Sequence, residues 1–373
     1  MIPSLRPYYL VASAFLVMTV LLGLGLRWEF VTGWFSSQGI HFPDLRHAHS
    51  HAGYYGVLIV ALWAGMRLEG LYVFARWGLW SYAAVSAAAV GIFLFQGYIA
   101  ATIVLSTVVL GYWLLAAWLQ IRSRTGATSW LDVAPWNLVI GAAMVVPIAL
   151  MAGRNPLLSA SLAHLFVTVL LLGVFIPASW AALGIARRTS VVFFTIFALG
   201  ASLHVAFPEE SGFLGLVFLG GYGIAVLNIA MRRRLGWVGR LYWLAFAIAI
   251  GATVLWEPLI DYRSRIAGIH FVILGPVLTS YVNAFWKVRT WSARLFTGCY
   301  HVLLIAMTLS IFRPEWFGVA NALELTAWLS TLFVVNLVPT IIFVYLGAQG
   351  VAGTTSADTP DSQEDEAQTE PSV

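Results

Sequence analysis

Apolar runs long enough to cross a lipid bilayer follow one another along almost the whole chain, and no other feature restricts its fold so much. A spanning helix needs about 20 mostly apolar residues. In lipid, such a segment must satisfy its own backbone hydrogen bonds. With 60% hydrophobic and only 10% charged residues, the chain is an all-α, polytopic membrane helix bundle. Many of its 17 tryptophans flank the apolar runs, as in an interfacial aromatic belt.

Twelve spans are expected, over 8–26, 45–67, 77–96, 98–121, 136–153, 157–183, 191–207, 212–231, 241–258, 266–286, 295–312 and 325–348. The first run exceeds the length of a signal-peptide core, and no small-residue cleavage pattern follows it, so it counts as a helix. Residues 1–349 form one twelve-helix transmembrane domain. Residues 350–373 are polar and acidic and read as a disordered C-terminal tail. No internal repeat and no soluble domain stands out.

Fourteen Lys and Arg fall on the N-terminal side of the first span or in the loops after even-numbered spans, among them Arg6, Arg67, Arg122 and the run Arg232, Arg233 and Arg234; the opposite side holds six. The positive-inside rule therefore puts both termini in the cytoplasm. The net charge of +4 is spread over short loops, so nothing marks a nucleic-acid surface. The single cysteine, Cys299, rules out an intrachain disulfide and a cysteine-based zinc or iron–sulfur site.

The histidines carry the functional signal. His47, His49 and His51 stand within five positions at the start of the second span. Ionisable residues in membrane spans are costly and tend to serve function, and imidazole is a common ligand for transition metals and haem iron. His47 and His51 are four apart and share a helix face, while His49 points about 160° away from each. One or two of the three should face the bundle core. His164, His204 and His270 fall at a similar depth on the sixth, seventh and tenth spans, toward the outer side. His301 lies in the inner half of the eleventh span and reads as a packing or proton-handling residue. His41 reads as interfacial. Arg263 and Arg265, just before His270, would suit the propionates of a haem. Glu209 and Glu210 could orient His204.

Twelve helices with histidines on the second, sixth, seventh and tenth, all toward the outer side, resemble subunit I of the haem–copper oxidase superfamily. Its cbb3-type oxidases, nitric oxide reductases and NnrS-like relatives share that plan. The resemblance implies His51 (or His49) and His270 as haem ligands. It implies His164 and His204 as ligands to copper or another metal, and one of the N-terminal histidines, His47 or His51, could complete such a site with them. The departures are also clear. His204 has no neighbouring histidine, the tenth span has a single one, and His164 is followed by Leu165, Phe166, Val167 and Thr168 rather than by a glutamate and tyrosine. Two haems and three copper ligands cannot be assembled from this set.

The expectation is therefore an integral protein of the bacterial cytoplasmic membrane binding haem, of b type, and/or copper. It would handle electrons, oxygen or nitric oxide at the outer side, as an oxidoreductase or electron carrier served by quinol or cytochrome c. Two other classes stay open: a carrier for a metal ion or small solute, and a non-catalytic assembly protein of a respiratory complex. Against the carrier, no carboxylate lies well inside a span and no paired interrupted helices stand at mid-depth.

Overall fold

The computed structural model describes residues 5–71, 74, 76–123, 129–152, 154–185, 187–232, 235–255, 262–285 and 291–354. Among these there is no strand. Twelve long helices account for almost all of them: α1 Arg6–Thr32, α2 42–68, α3 Arg76–Gln96, α4 Ala100–Ser123, α5 Ala134–Ala152, α6 Pro156–Ala182, α7 Val191–Ala206, α8 Pro208–Ala230, α9 Trp237–Leu255, α10 262–285, α11 Trp291–Phe312 and α12 Val319–Thr354. Each expected span corresponds to one of them. Nine, among the described residues, are long and apolar enough to cross a membrane. The other three are α2, whose first ten residues hold three histidines, and α7 and α10, whose apolar stretches are shorter. Helix α12 continues through residues 350–354, assigned from sequence to the tail; residues 355–373 lie outside the described part of the chain.

Consecutive helices pack against one another from α1 to α12, and α12 packs back on α1, closing a ring. Helices α2, α6 and α10 also run inward to meet one another. Residues 176–182 of α6 pack against both 59–68 of α2 and 278–285 of α10, and Tyr281 of α10 reaches Gly65 of α2. At their N-terminal ends the three take most of their packing from the ring instead: 42–51 from α1 and α3, 156–170 from α5 and α7, and 262–272 from α11. The central helices therefore converge at one end of the bundle and separate at the end that carries the histidines.

All three central helices are interrupted by a π-helical segment, at Ala52–Leu58, Leu171–Phe175 and Ile273–Val277. Such turns break the regular hydrogen-bond ladder, and a carbonyl without a partner is costly away from water. Each segment has the same remedy. A tyrosine from a ring helix donates to a carbonyl within it: Tyr82 of α3 to Tyr55 (2.7 Å), Tyr222 of α8 to Leu172 (2.8 Å) and Tyr300 of α11 to Leu274 (2.7 Å). Each segment also contains a glycine whose missing side chain is replaced by a neighbour: Phe15 at Gly56, Asn137 at Gly173 and Tyr242 at Gly275. Large aromatic residues fill the core around these crossings, with Trp63, Trp113, Trp180, Trp243 and Phe175 fully buried.

The opposite end is tied by polar contacts between loops. Arg187, after α6, pairs with Asp132 at 3.0 Å and donates from Nε to the Ser129 carbonyl. The Ser129 hydroxyl donates to Glu69, just after α2, at 2.6 Å. Partial burial pulls the Arg187 guanidinium below its usual pKa.

Candidate functional site

The first ten residues of α2 present histidines on two faces, and the structure sends them to different neighbours. Helix α2 starts at Phe42–Pro43, with His41 in extended backbone at its N-cap, where proline is well tolerated. His49 turns toward α1 and α10. His47 and His51, on the other side, turn toward α3 and the α3–α4 turn.

His49 is seated by α1. Gly23 leaves the room, since a Cβ at that position would fall 2.8 Å from Cε1 of His49. One turn earlier, the Thr19 carbonyl accepts a hydrogen bond from Nδ1 of His49 at 2.8 Å. On α10, Nδ1 of His270 donates to the Ile266 carbonyl, also at 2.8 Å. A carbonyl can only accept, so each Nδ1 carries the proton and each Nε2 keeps its lone pair. Among the described residues neither Nε2 has a recorded hydrogen-bond partner. The two rings, on α2 and α10, lie nearly parallel at 11°, with centroids 6.1 Å apart. Both are half-buried. Arg27 lies one turn beyond Gly23 on α1.

That spacing has a chemical meaning. An imidazole nitrogen lies about 2.0–2.1 Å from a metal it binds and roughly 1.1 Å from its own ring centroid, so two rings on opposite sides of one metal have centroids about 6 Å apart. The Nδ1–H to carbonyl bond on each ring is the usual support of a metal-bound histidine, because it fixes both tautomer and ring orientation.

The remaining histidines do not join this pair. His51 lies over Phe93, with centroids 4.2 Å apart, and its Nε2 is 3.2 Å from the Tyr98 hydroxyl. His47 stands 4.7 Å from the Tyr98 ring, edge to face, and 6.4 Å from the His51 ring. The ring that faces His270 is thus that of His49 and not that of His51. Nδ1 of buried His204 is 2.8 Å from the Ser211 hydroxyl, across the turn into α8. His164 is half-buried on α6, and its carbonyl accepts from Thr168. Among the described residues, no three His, Cys, Asp or Glu side chains converge as metal ligands. So His47, His51, His164 and His204, expected to share an ion, are not gathered into one site. His301 meets the Tyr242 hydroxyl at 2.8 Å. The side chains of Arg263 and Arg265, in the first turns of α10, lie outside the described residues.

Sequence reasoning missed two contributors. Gly23 and Thr19 of α1 seat the His49 ring. The available signal was a glycine in α1, since small residues in membrane helices mark close approach. No family model matches the chain, and no curated protein is recognisably similar to it.

Proposed function

We propose that this protein is a multi-pass membrane haem protein in which His49 and His270 are the two axial ligands of one b-type haem lying between α2 and α10. The observation that carries this reading is the parallel pair of imidazoles 6.1 Å apart, each with its other nitrogen engaged by a backbone carbonyl. The number of ligands selects the occupant. A bare zinc ion needs about four ligands, and among the described residues no third His, Cys, Asp or Glu joins the pair. A haem supplies four equatorial nitrogens of its own and asks the protein for the axial positions.

A haem held by these two histidines would supply one-electron exchange rather than binding of a gas. The chain's part is to hold the two rings rigidly. Thr19 and Ile266 fix their tautomers, Gly23 gives the His49 ring its place, and the π-segment just after each ligand sets the register of its helix. The ring of helices around converging α2, α6 and α10 supports a distant relation to subunit I of the haem–copper oxidases. The two-ligand site favours an electron carrier over an oxygen-reducing pump.

In this reading all twelve helices cross a bacterial cytoplasmic membrane. Both termini are cytoplasmic and the histidine end faces outward, where a quinol or a cytochrome would exchange electrons. The test is the haem-to-protein ratio of the detergent-purified protein, expressed with haem precursor supplied and measured as the pyridine haemochromogen. A ratio near one supports the reading. Protein that is folded and free of haem overturns it.

A further inference from the structure

His49 is seated by a second helix, through Gly23 and Thr19 of α1. His270 donates instead to Ile266 of its own helix, so its ring turns with the α10 backbone. That backbone becomes π-helical three residues later, at Ile273, where the regular hydrogen-bond ladder is broken. Two tyrosines of ring helices hold it there. Tyr300 of α11 caps the Leu274 carbonyl at 2.7 Å. Tyr242 of α9 takes the place of a side chain at Gly275, where a Cβ would fall 2.9 Å from its ring. The same ring packs with Phe271, the residue after the ligand, with centroids 5.5 Å apart. Both tyrosines are buried, and His301 of α11 touches both. Its Nδ1 is 2.8 Å from the Tyr242 hydroxyl, and its ring lies 5.4 Å from that of Tyr242 and 5.5 Å from that of Tyr300.

We propose that His301 is a positioning residue of the haem site. Through its bond to Tyr242 it holds the π-segment of α10, and with it the plane of the His270 ring relative to that of His49. The inference rests on the bis-histidine haem reading. A phenol hydroxyl inside a hydrocarbon layer needs a partner, and without His301 that of Tyr242 must seek another acceptor. Its ring cannot leave Gly275 without opening a void beside Phe271. The bond also joins α9 to α11, and both of these helices pack on the π-segment. The segment after the ligand is thus held by one connected unit rather than by two independent contacts. Support of this kind, one step removed from the metal, is what orients a ligating imidazole.

The test loads the full chain with haem and compares His301→Leu, His301→Asn and Tyr242→Phe with the unmodified protein. His301→Leu removes the bond and keeps an apolar side chain. His301→Asn offers an amide where Nδ1 stood. Tyr242→Phe deletes one oxygen and keeps a ring at Gly275, so it is the variant least able to disturb folding. The first readout is the low-spin electron paramagnetic resonance signal of the oxidised haem, whose anisotropy reports the angle between two axial imidazole planes. The second is the rate of haem loss to a scavenging apoprotein. The unmodified protein should give the rhombic signal of near-parallel planes, as the 11° between the rings requires. His301→Leu and Tyr242→Phe should each move it toward the more anisotropic form of twisted planes. Each should also release haem about fivefold faster, the loss of one neutral hydrogen bond. The double variant should do no more than either alone, because both act through one bond, and His301→Asn should stay close to the unmodified protein. Variants that lose stability to denaturant but keep the rhombic signal and the haem-loss rate overturn the proposal and leave the axial ligands intact. An unmodified protein that takes up no haem overturns both.

Discussion

His49 and His270 come from helices more than 200 residues apart in sequence, yet their rings are parallel within 11° and 6.1 Å apart. His51, two residues from His49, is turned the other way, onto Phe93 and Tyr98. This division of one helix between two neighbours gives the first prediction. His51→Ala and His47→Ala should keep a bound haem with an unchanged reduced α band, because neither ring faces the gap. If His51→Ala abolished the haem signal in protein that still runs as a monodisperse peak, the axial ligand would be His51 and the assignment made from the rings would fail.

Gly23 gives a second prediction. An added methyl would stand 2.8 Å from Cε1 of His49, so the ring must move away from its place beside Thr19. Alanine is favoured over glycine in a helix by about 1 kcal/mol, which offsets part of an overpacking cost of about 1–3 kcal/mol. Gly23→Ala should therefore leave the thermal unfolding midpoint close to that of the unmodified protein while weakening haem retention severalfold. Gly23→Leu should lose haem altogether. Unchanged haem retention in both would show that α1 does not seat the ligand.

The tyrosines that cap the π-segments give a third. Replacing Tyr82, Tyr222 or Tyr300 by Phe leaves a buried carbonyl without its donor, at about 1–3 kcal/mol each. Tyr82 should be the most costly, because its hydroxyl also accepts from Nε1 of buried Trp113 at 3.0 Å. Tyr300→Phe should in addition speed haem loss, since Leu274 follows His270 by one turn, whereas Tyr222→Phe on α8, which uncaps Leu172 of α6, should not. Denaturant unfolding in detergent and the haem-loss rate separate the two effects. Three variants indistinguishable from the parent would mean that these hydroxyls carry no structural role.

A fourth concerns the loops at the other end. Arg187 and Asp132 retain side-chain exposures of only 12% and 10%, so cutting the pair strands a largely buried charge. Arg187→Ala should lower stability by about 3 kcal/mol, at the low end for a broken buried pair, and leave the haem spectrum as it was. A shift in the α band with no loss of stability would show instead that the loops at this end act on the haem site.

Much of the architecture was legible in hydropathy alone. The long helices among the described residues fall where apolar runs predict them, and nine of them are long and apolar enough to cross a membrane. The opposed facing of His49 against His47 and His51 was legible too, since it follows from helical spacing. Which of the two faces would meet α10 was not. That depends on Gly23, which makes room on a different helix, and on π-segments that rotate the rest of α2 and α10 relative to their first turns. Their traces in the sequence are small: Gly53 and Gly56 after His51, Gly275 and Pro276 after His270, and Gly173 and Pro177 further along after His164. The tyrosines that complete the segments lie on other helices, 27, 50 and 26 residues from the carbonyls they cap, with no shared spacing to betray them.

The most direct test of the central claim is the dithionite-reduced minus oxidised spectrum of the purified protein beside those of His49→Ala and His270→Ala. The account predicts sharp α and Soret bands in the unmodified protein, insensitive to carbon monoxide because both axial positions are filled. Both variants should lose that six-coordinate signature. A bis-histidine spectrum that survives either substitution would contradict it.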